Sequence, residues 1–403
     1  MSGGYKVKTF LNTLGVFIKE TNKTLLFMCI ALSSFGVLMV YSATMYSLDD
    51  GQLFSRSVMA MVIAVAAGII IGLAVSAFEL DFLTRMWPLI GFVCVALMAS
   101  LFLIGKSPSE RDDAISWIKI GSFYFQPSEL LKAGFTVTFS VHLSTIKDDL
   151  NKLRNIIYLG LHAMLAIGLV IATGDLGSAL VFMFMTVGLM FIAGVYLRYF
   201  AIAAVGIGIA APVIWFEFLS NFQKERFLAV YHPSSLTEAV YKKAIYQQQQ
   251  GLSAIGAGRL TGQGLFNGTY TQGHLVPENQ NDMIFSVVGE ELGFIGCVAL
   301  LIFILLIVLK IISIGRKAQN MTGRLICYGT AIMIAAQTII NIGMCLEVLP
   351  VIGITLPFMS SGGSASLCIY ISIGLVLCVH RSSFSHSPTE VRSSAISTPF
   401  EEI

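Results

Sequence analysis

The chain has 403 residues, a hydrophobic fraction of 56%, a charged fraction of 12% and a formal net charge of +2. Soluble domains carry about 25% charged residues, so this composition excludes an ordinary soluble globular protein. The near-neutral balance also gives no basic field for nucleic acid.

A membrane span needs about 20 mostly apolar residues. Ten runs meet that need, at 24–46, 57–78, 86–105, 127–146, 155–173, 177–194, 199–219, 283–313, 325–348 and 357–380. Backbone groups in lipid must bond internally, so these spans are helices. The expected fold is an all-α polytopic membrane protein: a segment 1–23, a ten-helix domain 24–380, and a Ser-rich flexible tail 381–403. The first run is longer than the apolar core of a cleavable signal and reads as a retained anchor.

Positive charge sets the orientation. Lys6, Lys8, Lys19, Lys23, Arg85, Lys147, Lys152, Arg154, Arg198, Arg316, Lys317, Arg324 and Arg381 all fall on one side of a ten-span chain. That side is the cytoplasm, with both termini in it. Two outside segments then stand out, 106–126 and the loop 220–281 between the seventh and eighth spans.

The fourth span opens on Gln126-Pro127-Ser128-Glu129-Leu130-Leu131-Lys132. Pro suits a first helical turn. Glu129 and Lys132, three apart, share a helix face. They form either a self-neutralising pair or a polar wall of a substrate cavity, since ionisable groups at membrane depth are functional candidates. Asp175, at the turn between the fifth and sixth spans, is a natural helix cap and a second candidate. Within 220–281, YKKAIYQQQQGLSAIGAG suggests a short helix on the membrane surface. The following GAGRLTGQG has the glycine density of a tightly turning backbone.

That loop ends in Asn281-Asp282 and enters an apolar helix carrying Glu290 and Glu291. Asp282 could merely cap the helix. An acidic group at a membrane mouth, beside a Gly-rich loop with Arg226, Lys242, Lys243 and Arg259, points instead to a general base. Partial withdrawal from water raises a carboxylate's pKa and suits it to that task near neutrality. Glu290 and Glu291 read as groups holding helices together. Pro350, Pro357, Gly362 and Gly363 in LPVIGITLPFMSSGG break regular helix, leaving either a hairpin turn or another cavity wall.

No Walker A loop, HExxH or GxSxG occurs. His142 and His162 lie in spans, where bonding to a neighbouring helix is the ordinary role. His274 lies in the outside loop, within reach of a substrate. The seven cysteines, Cys29, Cys94, Cys297, Cys327, Cys345, Cys368 and Cys378, lack CxxC spacing and read as small packing residues.

WIKIGSFYFQPSELLK (117–132), TGDLGSAL (173–180), YQQQQGLSAIGAGRLTGQG (246–264), LVPENQNDMIFSVVGEELGFIG (275–296) and NIGMCLEVLPVIGITLPFMSSGG (341–363) together resemble the SEDS family of bacterial shape, elongation, division and sporulation proteins. The likeness runs in order from about 24 to 380. GLFNGTYTQGHLVPE is more similar to the RodA branch than to the FtsW branch. The resemblance implies a multi-pass peptidoglycan glycosyltransferase of the bacterial plasma membrane, using lipid II and undecaprenyl-diphosphate-linked glycan. It implies Asp282 as the essential aspartate, and Glu129 and Lys132 as the polar pair of the QPSE motif. Arg226, Lys242, Arg259, Gln250 and Ser360 are expected to contact substrate. A class B penicillin-binding transpeptidase is the implied partner. A divalent cation, Mg2+ or Mn2+, could help offset diphosphate charge, although no metal cage is evident. Departures exist: Gln280 and Asn281 replace the usual His-Thr, Ser116 replaces an arginine, and Ser360-Ser361-Gly362-Gly363 replaces SYGG. A lipid II flippase and a cell-wall scaffold are the alternatives from other classes.

Overall fold

The computed structural model describes residues 19–47, 52–107, 115–121 and 123–385. Most of the expected N-terminal segment (1–18) and tail (386–403) lie outside them. The chain runs α1 (Lys23–Thr44), α2 (Arg56–Ala77), the short α3 (Leu80–Arg85), α4 (Trp87–Ile104), β1 (Ile118–Ile120), β2 (Phe123–Phe125), α5 (Pro127–Thr145), α6 (Leu153–Ala172), α7 (Leu176–Ala193) and α8 (Leu197–Val213). It continues through α9 (Asn221–Tyr231), α10 (Glu238–Ala257), α11 (Thr269–Gln272), α12 (Ile284–Lys317), α13 (Met321–Cys345) and α14 (Gly363–Ser385).

Local chemistry sets the helix starts. Asn22, Ser55, Asp175 and Asn320 each accept a backbone N–H from the first turn of α1, α2, α7 and α13, which satisfies a donor the helix cannot pair internally. Pro88 and Pro127 occupy the first turns of α4 and α5, where a missing N–H costs nothing.

Among the described residues, nine helices are long and apolar enough to cross a membrane. The one remaining expected span, the fourth, is α5; it is helical but falls short of that apolarity because Glu129, Lys132 and several Ser and Thr residues interrupt it. It compensates by position. Fourteen of its 19 side chains are buried, and α4, α6, α7, α13 and α14 all pack on it. A polar helix at the bundle centre meets protein rather than lipid.

The most extensive helix pair is α2 with α14. Small residues allow it: Cβ atoms added at Gly68, Gly72 or Gly374 would run into the partner helix. Close backbone approach of this kind drives association in lipid, where burying apolar surface gains little. By contrast, α8 buries no side chain. Pro212 lies near its end, and a π turn (Ile214–Phe218) follows.

The outside segments hold more regular structure than expected. β1 and β2 form an antiparallel hairpin with Lys119 opposite Tyr124, delivering the chain to Gln126. The anticipated short surface helix is the 20-residue α10, preceded by α9. A reciprocal Ser220–Gln223 capping box starts α9.

Candidate active site

The first polar cluster lies where α5, α7 and α14 begin. Asp175 does cap α7, through Oδ1 accepting from Ser178 N at 2.9 Å. Its Oδ2 also accepts from Gln126 Nε2 at 2.8 Å and Ser128 Oγ at 2.9 Å. Ser364 of α14 accepts from Gln126 N at 3.0 Å. One turn into α5, Lys132 Nζ donates to Glu129 Oε1 at 2.7 Å, with Lys132 1% and Glu129 8% exposed. Glu129 faces a water-sized cavity lined also by Gln337, Ser360, Ser366 and the 355–358 backbone segment. The two form an ion pair, and of the two only Glu129 lines this small cavity.

The second cluster surrounds Asp282. Met283, not Asp282, occupies the N-cap position of α12. Asp282 is 9% exposed, and its Oδ1 lies 3.4 Å from Gln247 Nε2 on α10. Its backbone carbonyl accepts from Asn341 Nδ2 at 2.7 Å, and the same nitrogen donates to Ile354 O at 2.7 Å. Ser361 N donates to Gln280 O at 3.0 Å, and Ser361 Oγ bonds Asn281 Oδ1. Asn279 is fully buried, and neither of its amide atoms has a hydrogen-bond partner among the described residues.

Segment 346–362 joins the two clusters. Ser360 lines the Glu129 cavity, while its neighbour Ser361 holds the Asp282 loop. At the start of α7, a Cβ on Gly177 would lie 2.7 Å from the Ile354 side chain and 2.8 Å from Ile352 O. The irregular backbone that Pro350, Pro357 and the paired glycines predict is thus packed between α7, α13 and the Asp282 loop. It is a cavity wall, not a plain hairpin.

Glu290 and Glu291 act as the sequence suggests, by holding elements together. Glu290 accepts from Tyr270 N at 2.6 Å, Thr271 N at 2.9 Å and Thr271 Oγ1 at 2.7 Å. Glu291 Oε1 accepts from Ser42 of α1, while its Oε2 has no partner among the described residues. Just beyond them α12 breaks at Gly293, with φ 68° and ψ −165°. The Gly-rich loop repairs the break. Gln263 N and Gly264 N donate to the carbonyls of Glu290 and Glu291 at 2.9 and 3.0 Å. In return, Phe294 N and Ile295 N donate to the carbonyls of Arg259 and Leu260 at 2.8 and 3.1 Å.

The remaining expected residues are dispersed. Arg226 lies over Phe222 at 4.3 Å and donates to Val351 O at 3.0 Å, so it braces the same irregular segment. Lys242 is exposed and paired with Glu238 at 2.6 Å. Arg259 is exposed beyond the end of α10, and Gln250 is half-buried on that helix. None of these four lines the Glu129 cavity. His274 stacks on Tyr46 at 4.2 Å. His142 and His162 bond each other across α5 and α6 at 3.2 Å. All seven cysteines are free and buried. Gln247, Gln248, Asn341 and Ser361 were not singled out by sequence reasoning, because their roles need contacts across long sequence separations.

The cell cycle protein family model FtsW/RodA/SpoVE matches residues 23–385. The chain belongs to the FtsW/RodA/SpoVE family. Peptidoglycan glycosyltransferase MrdB of Escherichia coli K12 is 28% identical over 89% of the chain and 92% of its own length. A probable peptidoglycan glycosyltransferase FtsW of Geobacter sulfurreducens is 32% identical over 90% of the chain and 97% of its own length. Among solved structures, a chain of a peptidoglycan synthase complex described as coordinating polymerization and crosslinking superposes with TM-score 0.74 at 25% identity, covering 90% of this chain and 98% of that one. The rod shape determining protein RodA of Thermus thermophilus shares the fold, with TM-score 0.66 at 22% identity and the same two coverages, 90% and 98%. This FtsW/RodA/SpoVE member is a multi-pass membrane protein.

Proposed function

We infer that this chain is a peptidoglycan glycosyltransferase that polymerises lipid II into β-1,4 glycan strands at the bacterial plasma membrane, with Asp282 as general base. The observation that carries this reading is the Asp282 carboxylate. It stands ahead of α12, near Gln247, and is tied through Ser361 and segment 346–362 to the cavity lined by Glu129, whose ion-pair partner is Lys132. The names of the MrdB and FtsW relatives supply the reaction class.

In this mechanism Asp282 takes the proton from the 4-hydroxyl of the GlcNAc of lipid II. The oxygen attacks the anomeric carbon of the donor MurNAc as the C1–O bond to diphosphate breaks. The α-linkage inverts to β, and undecaprenyl diphosphate departs with the bonding electron pair. Cationic groups stabilise a leaving diphosphate. Lys132 is buried beside the cavity. Lys242 sits in an exposed pair, which holds it with about 0–1 kcal/mol and leaves it available to turn toward substrate. Arg226 braces the irregular segment through Val351 O, and Arg259 is exposed beyond α10. Among the described residues no three His, Cys, Asp or Glu side chains converge as metal ligands.

Purified Asp282→Asn protein should polymerise lipid II at least about 100-fold more slowly than the parent, the usual weight of a general base. Parental-rate polymerisation by the folded variant, read on glycan gels, would remove Asp282 from the role.

Elongation is the favoured setting, supported by the RodA-like loop 264–278 and by the MrdB and RodA matches. The FtsW relative at 32% identity favours a septal role as the second reading. The chain's likeness to part of a synthase complex supports a class B penicillin-binding transpeptidase as partner.

A further inference from the structure

We propose that Asn341 and Gln248 are positioning residues that fix where the Asp282 carboxylate points, an inference that rests on the reading of Asp282 as general base. Neither needs to touch substrate. Asn341 is completely buried on α13, and both hydrogens of its amide are used, at 2.7 Å each, on the carbonyls of Asp282 and Ile354. The Asp282 carbonyl precedes the first turn of α12, and Ile354 belongs to the irregular wall, so neither position is set by a helix of its own. A single planar carboxamide therefore sets the spacing between the base and that wall.

The same end of α13 controls the other side of the carboxylate. Gln248, 1% exposed, donates from Nε2 to Met344 O at 2.8 Å and Leu349 O at 2.7 Å. That fixes the register of α10 against α13, and the next residue along α10, Gln247, reaches Asp282 Oδ1 and Pro277 O, each at 3.4 Å. The backbone of Asp282 is thus held by α13 directly, and its side chain by α13 through α10. Helix α13 is itself among the most buried helices of the bundle, which makes it a rigid reference. Catalytic geometry supported by buried hydrogen bonds on rigid helices tolerates little displacement, and a misplacement of about 1 Å can cost about 100-fold in rate.

The test uses the full chain in detergent with lipid II and three variants. Asn341→Asp keeps the side-chain shape but turns the donor nitrogen into an acceptor facing two carbonyls. Gln248→Met keeps length and removes the donor on a helix outside the central bundle, so it serves if Asn341→Asp fails to fold. Asp282→Asn runs alongside. The expected result is a fall in kcat of about 100-fold for Asn341→Asp and about 10-fold for Gln248→Met, with KM for lipid II within about twofold of the parent. A general loss of folded protein would lower active fraction and melting temperature together, and would not produce this kcat-only signature in the folded fraction. Parental kcat in either folded variant, or a rise in KM alone, overturns the proposal while Asp282→Asn stays inactive. Parental turnover by Asp282→Asn overturns the general-base reading itself, whatever the other two variants do.

Discussion

Lys132 is almost fully withdrawn from water, and the carboxylate that balances it is one helical turn away. Removing one member of a buried pair strands the other charge and typically costs about 3–5 kcal/mol, whereas replacing both costs far less. Lys132→Met should therefore lower the melting temperature more than the Lys132→Met/Glu129→Gln double variant does. A purely catalytic role predicts inactive singles and double that melt like the parent. Glu347, half-buried beyond α13, offers a separate check. Burial raises its carboxyl above the ordinary range, so its contribution to stability is present at low pH and is lost as pH rises through that raised value. Glu347→Gln should flatten this small decline in melting curves taken across mildly acidic pH. Asp282 and the Glu129–Lys132 pair were legible from sequence because charge beside apolar runs is conspicuous. Asn341 was not. An asparagine in an apolar helix reads as a packing residue until the carbonyl it holds, 59 positions upstream, is brought to it.

Helix α12 shows the same division between what a pattern carries and what contact decides. Its apolar length was readable, and so was the glycine density of GAGRLTGQG, but not that one exists to complete the other. Gly293 adopts φ 68° and ψ −165°, a region essentially closed to other residues. Its added Cβ would meet the Leu260 carbonyl at 2.6 Å. Gly262, at φ 81°, packs on Glu291 and Leu292 from the other side. Gly293→Ala should destabilise the fold by about 1–3 kcal/mol from backbone strain alone, more if the loop is displaced. The loop 259–272 should then become an early site of limited proteolysis while α1 and α2 stay protected. Unchanged cleavage at an unchanged melting temperature would mean the break is not maintained by this exchange. The α5 helix shows why apolarity alone undercounts spans. A central helix is sheltered by its neighbours, and no single-sequence window registers shelter.

At the scale of the whole molecule the choice lies between polymerising lipid II and carrying it across the bilayer. Buried charges and broken helices occur in both kinds of machine. A carrier must open a polar path to each face in turn. Here Glu129, Lys132, Asp175 and Asp282, and the irregular segment joining them, gather at the ends of α5, α7, α12 and α14 that the Lys and Arg pattern assigns to the outside. At the opposite end of the bundle several polar contacts close one helix on another, among them Thr322 to Ser144 at 2.7 Å, Asn22 to His380 at 3.5 Å and Arg381 to Glu20 at 3.6 Å. A one-sided site suits a substrate that arrives already displayed on that side. In detergent, where no second compartment exists, the protein, with or without the proposed transpeptidase partner, should convert lipid II to glycan strands, and Asp282→Asn should abolish them. In sealed vesicles, headgroup-labelled lipid II should cross no faster with the protein than without it. Protected label becoming accessible at a protein-dependent rate, with no polymer formed in detergent, would move the chain to the carrier class and leave Asp282 as part of a pathway instead of a base.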